Sequence, residues 1–475
     1  MLFTSYQYWL VLLLAFGIYW AATRLRHKRL SQNITLLVMS YSFYAWWDWR
    51  WCVLLAAISA ISFWGAHWIH RTQSRQERRI ILIILLFISL GALGVLKYFN
   101  FFTESFASML SSFGLTISQP ILSIIIPIGL SYYTFQSVSY LIDVYRQHAS
   151  PSSDVLAFFV ALSFFPQLLA GPITRPVHLL PQLTTYRTFK IDIAKDGIRQ
   201  FLWGLIKKML VANGIGTQVD YIWSHYTSLD GLSLCIGAFL YSIQIYCDFS
   251  GYADMAIGSG KLFGIKLANN FSYPYFSTSI RTFWHRWHIS LSTWARDYIY
   301  IPLGGNRVRT LRHAFNLILT FSIIGVWHGA NWTFVAWGVL HGLYQLPGAV
   351  LRRYRLRTSS GSASTMKLVG SGVMVFFLVS LAWVLFRAPT ITDAFHYITT
   401  AISRPYLEVD HLRYLPWLGG SVALLIWEGI MSRREHGLDL GMIPVTARWA
   451  TYLALCVLLL LGGYFGNRAG IYVQF

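Results

Sequence analysis

Charge is scarce in this 475-residue chain: Asp, Glu, Lys and Arg together make 12% of it, about half of the roughly 25% usual for a soluble domain. Water-facing surface needs charge, so a set of soluble globules is excluded, although the length would hold two or three. Acidic residues are the scarcest, 18 against 38 Lys plus Arg, which leaves a net charge of +20. No basic, aromatic-studded soluble module carries that excess, which excludes nucleic-acid binding. Cysteine is nearly missing as well. Cys52, Cys235, Cys247 and Cys456 lie far apart in apolar surroundings, with no CxxC and no Cys/His cluster. Neither a disulfide framework nor a zinc site is expected, only buried free thiols. A cleavable leader is also not expected. The apolar run Tyr8–Ala22 has no basic residue before it and no A-x-A site after it, and Arg24–Arg29 follows it. That order marks a retained helix with its N-terminus outside.

Apolar residues fill the space instead, at 55%. Runs near 6–23, 32–49, 52–70, 79–97, 120–145, 153–171, 196–215, 229–248, 250–266, 311–327, 331–351, 366–387, 414–431 and 446–466 are span candidates. Allowing for re-entrant or interfacial pieces, an all-α polytopic protein of about 10–13 spans is expected. The segments Phe101–Phe113 and Ile391–Ile402 are amphipathic and suit the interface, and Thr358–Thr365 reads as a flexible connector. Basic loops at Arg24–Arg29, Arg71–Arg79, Arg352–Arg357 and Arg433–Arg434 all assign to the cytoplasm, leaving both termini outside. No internal repeat is evident, so one unit over 1–475 is expected, with its motif-rich core at 125–345.

The richest segment is Arg281–Arg309. Read as one helix, Trp284, Trp287, Leu291, Trp294 and Tyr298 share a stripe. Arg281, His285, His288, Ser292 and Arg296 share another, roughly 120° away. The second stripe suits a wet, anion-binding cavity; an interfacial helix with lipid-contacting arginines is the competing account. His-x-x-His without a nearby acid or thiol is a poor metal site. His328, inside Gly325–Trp332, is an ionisable group among apolar spans, which is costly and therefore a functional candidate. It also titrates near neutrality, as a general base must; a hydrogen-bonded core histidine is the alternative, and His341 is read as structural. Asp248 and Asp254, in Tyr246–Asp254, can orient a histidine, pair with an arginine or play a purely structural part. Polar islands at Pro127–Gln136 and Phe165–Ile173 read as cavity walls, or as close helix packing.

At these residues the sequence resembles the membrane-bound O-acyltransferases, in particular the bacterial branch that acetylates alginate and peptidoglycan or D-alanylates teichoic acid. The carriers are Phe283–Ser292, Arg296–Asn306 and Gly325–Trp332, supported by Tyr246–Tyr252, Gly129–Gln136 and Ile471–Phe475. The resemblance implies a multi-helix fold around a funnel or tunnel. It makes His328 the catalytic histidine of the W-H-G motif and His288 the second site histidine; His285 takes no role. The chemistry implied is acyl transfer from a cytoplasmic thioester, acetyl-CoA being favoured, with no bound cofactor and no metal. His328 would deprotonate the acceptor hydroxyl, and His288, with Asn331, would orient the donor or stabilise the oxyanion. Arg281, Trp284, Ser292, Arg296, Asn331 and Asp248 are the substrate-binding candidates, and Arg281, Arg296 and Lys207–Lys208 suit the donor's phosphates. The resemblance places the protein in a bacterial inner membrane, handing acetyl to an extracytoplasmic transferase that modifies a polysaccharide. D-alanyl transfer from a carrier protein and a transporter without chemistry are the alternatives; the acceptor is not readable.

Overall fold

The computed structural model describes residues 3–115, 127–168, 171–353, 364–404, 411–465 and 470–471. Arg355, Arg357, most of the Thr358–Thr365 connector and the tail residues Tyr472–Phe475 lie outside the described residues. All regular structure among the described residues is helical. The chain divides into two compact units, residues 1–198 with 256–268, and residues 199–255 with 269–475.

The helices are, in order, α1 Tyr6–Ala21, α2 Lys28–Asp48, α3 Arg50–Arg71, α4 Arg75–Leu93, α5 Phe99–Ser112, α6 Leu130–Tyr145, α7 Val155–Ser163, α8 Phe165–Leu168, α9 Pro176–Leu183 and α10 Ile191–Leu205. There follow α11 Asn213–Ser224, α12 Gly231–Leu262, α13 Ile280–Arg286, α14 Ile289–Ala295, α15 Thr310–His328, α16 Trp332–Arg353, α17 Thr365–Arg387, α18 Ile391–Ser403, α19 Leu415–Met431 and α20 Val445–Gly462. Among the described residues, nine helical stretches are long and apolar enough to cross a membrane. The chain is thus an all-α polytopic membrane protein. α2, with 21 residues, carries Lys28, Arg29, Gln32, Asn33 and Asp48 and is less apolar.

Three boundaries differ from the sequence reading. The runs 229–248 and 250–266 are one continuous 32-residue helix, α12, because Asp248 and Asp254 are neutralised by partners and do not interrupt it. Phe101–Phe113 is not a separate interfacial piece; a π turn at Gly94–Tyr98 joins α5 to α4 in one 38-residue stretch. The Arg281–Arg309 segment is not one helix but two short ones and a π turn, broken at His288.

In the first unit, Arg187 is buried with no carboxylate partner among the described residues. Its guanidinium donates to Tyr19 Oη (2.5 Å), Asn33 Oδ1 (2.6 Å) and the Gln182 carbonyl (2.9 Å), so the charge is satisfied by neutral acceptors. The polar islands are largely buried there too, over 127–136, 165–168 and 171–173. Gln136 donates to the Thr174 carbonyl at 2.8 Å, and a Cβ on Gly129 would meet the Leu168 carbonyl oxygen at 2.3 Å. The close-packing account fits these contacts.

In the second unit, α15 and α16 form an antiparallel pair whose backbones touch. A Cβ on Gly325 would meet the Phe334 carbonyl oxygen at 2.2 Å, and one on Gly338 that of Phe321 at 2.3 Å. Small residues permit this approach where hydrophobic burial alone drives little association. Gly204 and Gly251 play the same part between α10 and α12. Their contact brings Lys207 and Lys208, on the π turn Ile206–Ala212, against the two aspartates of α12.

Candidate active site

α13 begins at the Ser279 cap, whose hydroxyl accepts from the Thr282 N–H at 3.1 Å, and ends at Trp287. The chain then turns through His288 at φ 42°, ψ 54°, a left-handed conformation that costs a non-glycine residue about 1–3 kcal/mol. Asn270 holds it there. The Ile289 N–H donates to the Asn270 carbonyl at 2.9 Å, and the Ser290 N–H to Asn270 Oδ1 at 3.2 Å. The same Oδ1 accepts from the Ser290 hydroxyl at 2.8 Å and faces His288 Nδ1 at 3.1 Å.

This constellation fixes the tautomer of His288. A backbone N–H can only donate, so the atom of Asn270 that it meets is the amide oxygen. His288 Nδ1 must then carry its proton. Burial pushes the imidazole pKa down to about 3, so the ring is neutral and Nε2 holds a lone pair. In this state His288 accepts at Nε2. In this tautomer Nε2 does not donate, so of the two expected roles, orienting the donor and stabilising an oxyanion, His288 suits the first.

His328 ends α15 and is 2% exposed. Its ring centroid lies 6.4 Å from that of His288, 4.9 Å from Trp327, 5.1 Å from Trp337 and 5.3 Å from Phe386. The two motif histidines, 40 positions apart by their numbers, share one aromatic box. Trp287, Trp337 and Trp383 form its floor, all fully buried. The indole N–H of Trp337 has no acceptor among the described residues, although it is buried beside His328. Burying an N–H without an acceptor costs about 1–3 kcal/mol, a cost that a transient anion would offset.

The other sequence candidates fall in different places. Trp284 is buried and donates to His341 Nδ1 at 3.2 Å, so it positions His341. Ser292 donates to the Trp287 carbonyl at 3.2 Å and ties α14 to the break. Asn331 donates to the Pro389 carbonyl at 2.9 Å and accepts from the Thr333 N–H at 3.0 Å, pinning the loop after His328 to the end of α17. Arg281 is exposed and donates to the His285 ring at 3.3 Å. Arg296 pairs with its neighbour Asp297 at 2.7 Å. The single polar stripe expected of Arg281, His285, His288, Ser292 and Arg296 therefore does not form, because the break at His288 rotates the two halves.

Lys207 and Lys208 are buried and ion-paired. Lys207 pairs with Asp254 at 2.6 Å and donates to Ser250 at 2.8 Å; Lys208 pairs with Asp248. Asp248 also accepts the Ile471 N–H at 2.7 Å, so its partners are a lysine and the backbone, not a histidine or arginine. Both lysines are neutralised inside the second unit and cannot serve donor phosphates. Among the described residues no group of His, Cys, Asp and Glu converges to hold a metal.

Asn270, Trp337 and Phe386 were not visible beforehand. Each lies on a different element from the histidine it touches, and no local spacing signals the contact.

Known proteins resemble this chain over most of its length. The profile of the membrane-bound O-acyltransferase family matches residues 8–387. The chain is 39% identical over 370 residues to the probable alginate O-acetylase AlgI of Azotobacter vinelandii, covering 76% of this chain and 71% of that one. It is 35% identical over 409 residues to the peptidoglycan O-acetyltransferase of Helicobacter pylori, covering 81% and 76%. Similarity to the teichoic acid D-alanyltransferase of Bacillus subtilis is 29% over 230 residues, covering 46% and 57%. The chain belongs to the membrane-bound O-acyltransferase family, alongside alginate and peptidoglycan O-acetylases, and is a multi-pass membrane acyltransferase.

Proposed function

We propose that the protein takes an acetyl group from a cytoplasmic thioester, acetyl-CoA, and delivers it across the bacterial inner membrane for O-acetylation of a polysaccharide of the peptidoglycan or alginate type. The observation that carries this reading is the pairing of His328 with a tautomer-locked His288 inside one buried aromatic box. The higher identity and wider coverage of the acetylating relatives favour acetyl over D-alanyl.

In this reading His328 takes the proton of the acceptor hydroxyl as its oxygen attacks the acetyl carbonyl. The C–O bond forms, the C–S bond breaks, and the proton passes to the leaving thiolate. His288 Nε2 accepts from an amide N–H of the donor arm and so orients it. The developing oxyanion falls to the Trp337 indole N–H. Positive loops mark the cytoplasmic side, which puts the start of α15 inside and His328 toward the outer end. At the start of α15, on the cytoplasmic side, an open cavity of about 830 Å³ lined by Arg307, Arg309 and Arg312 suits the donor's phosphates. An extracytoplasmic transferase is the expected partner that passes the acetyl group onward, and no cofactor is required.

Sidedness tests the reading. Protein would be reconstituted in vesicles of known orientation, and labelled acetyl-CoA supplied to one face at a time. Thiol release only from the face bearing Arg309 is expected. Release from the opposite face, or from neither face while an acyl-carrier thioester is consumed, would replace the proposed donor route.

A further inference from the structure

A second, half-enclosed cavity of about 490 Å³ lies inside the second unit, lined by Tyr241 and Gln244 of α12, Asn331 and Phe334 after His328, and Phe386 and Arg387 at the end of α17. Three of its properties bear on an occupant. The first is size: this volume is at the small end of the about 300–1,000 Å³ of ligand pockets. It admits a group of one to a few sugar units or an amino-acid side chain, not a long run of polymer.

The second is charge. The charged groups of the wall come in opposite pairs, Lys208 with Asp248 and Arg387 with Asp220 at 3.0 Å. What is left is amide, hydroxyl and ring: Asn213, Gln244, Asn331 and Thr333 beside Phe334 and Phe386. A carboxylate brought to this wall would meet as many fixed negative charges as positive ones, so the wall offers no net charge to favour an anion. An uncharged hydroxyl-bearing group would find donors, acceptors and an apolar face.

The third is its distance from the chemistry. His328 does not line this cavity, but Phe386 does, and its ring lies 5.3 Å from the His328 ring. Phe386 also meets Phe334 edge-on at 4.8 Å, and Phe334 is seated on Gly329, where any Cβ would strike its ring at 2.2 Å. Asn331 ties this loop to the Pro389 carbonyl just beyond Phe386. One aromatic ring thus separates a polar cavity from the buried histidine.

Resting on the acyl-transfer reading above, we propose that this cavity is the acceptor's port, that its acceptor is an uncharged hydroxyl-bearing group, and that Phe386 is the ring displaced when that hydroxyl meets His328. While closed, the ring keeps water off the thioester. If water replaced the acceptor, its oxygen would attack the same carbonyl and release acetate and thiol. Phe386 therefore sets the partition between transfer and hydrolysis.

Two measurements test this. In full-length protein with Cys52, Cys235 and Cys456 replaced by Ser, Gln244→Cys is labelled by a small thiol reagent, with no donor present. Methyl N-acetylglucosaminide should slow the labelling, and methyl glucuronoside at equal concentration should not. Equal or better protection by the anionic sugar overturns the acceptor class. Absence of labelling, or of protection by either sugar, overturns the port. The second measurement compares acetate released with acetyl transferred to the neutral acceptor. Phe386→Ala should raise that ratio about tenfold, equivalent to about 1.4 kcal/mol, while Phe386→Leu, which keeps most of the bulk, stays near wild type. An unchanged ratio in a folded Phe386→Ala protein removes the partition role. The labelling needs no thioester chemistry, so failure of the port is distinguishable from failure of the acyl-transfer reading.

Discussion

Removing the amide of Asn270 separates what His288 needs for folding from what it needs for chemistry. Asn270 is 1% exposed, and its Oδ1 meets the Ser290 N–H, the Ser290 hydroxyl and His288 Nδ1. In Asn270→Ala the hydroxyl can rotate elsewhere, but the N–H of Ser290 and the Nδ1–H of His288 cannot. Two stranded buried donors cost about 1–3 kcal/mol each. The left-handed turn at His288 is then unsupported, and relaxing it recovers about 1–3 kcal/mol of strain. At mid-range the net loss at the site is about 2 kcal/mol, expected as about a 30-fold fall in kcat/KM with a lower melting temperature in detergent. Asn270→Asp restores an acceptor, so it should regain most of the thermal stability. A carboxylate at Nδ1 also favours the imidazolium, which has no lone pair at Nε2. Asn270→Asp should therefore fold like wild type and still consume acetyl-CoA at least about tenfold more slowly. Full activity in Asn270→Asp would refute the lone-pair argument. Full activity in a folded Asn270→Ala would refute the positioning role altogether.

Other outcomes follow from the same geometry. Trp337→Phe keeps a ring against His328 and deletes only the N–H; as the oxyanion donor its loss should lower kcat about 100-fold with little change in KM, and a near-normal kcat would remove it from the site. Lys208→Met should cost about 3–5 kcal/mol by stranding Asp248, read as lost expression and melting temperature, and the double variant Lys208→Met with Asp248→Asn should recover much of it. Gly325→Leu should unfold the α15–α16 pair, because its side chain would enter the Phe334 backbone; a stable, active variant would show that the approach is not obligatory. Trp284→Phe should lose about 1 kcal/mol with the bond to His341 and leave the thioester rate within about threefold.

The apolar runs located most helices correctly because burial in lipid demands long uninterrupted hydrophobic stretches. Where polar residues fell inside a run, the sequence alone could not tell interruption from neutralisation. Asp248 and Asp254 looked like a gap between two spans, yet Lys208 and Lys207 absorb them and α12 runs through. At His288 the opposite occurred: the helical period of 281–309 was regular, but Asn270 captures the next amides and breaks it. The two histidines were legible from their motifs. Their supports were not, because Asn270, Trp337 and Phe386 reach them only through tertiary packing. The basic residues were hard to place for a related reason. A basic residue looks the same in sequence whether it faces a ligand or, like Lys208 and Arg296, an aspartate of its own chain.

The central claim is that His328 is the base of a thioester-consuming acyl transfer. The direct measurement is thiol release from labelled acetyl-CoA by purified protein, wild type against His328→Ala, with melting temperature recorded for both. Wild type should release thiol, and a folded His328→Ala protein should lose the activity by about 100-fold or more. Equal thiol release from the two folded proteins would contradict the account.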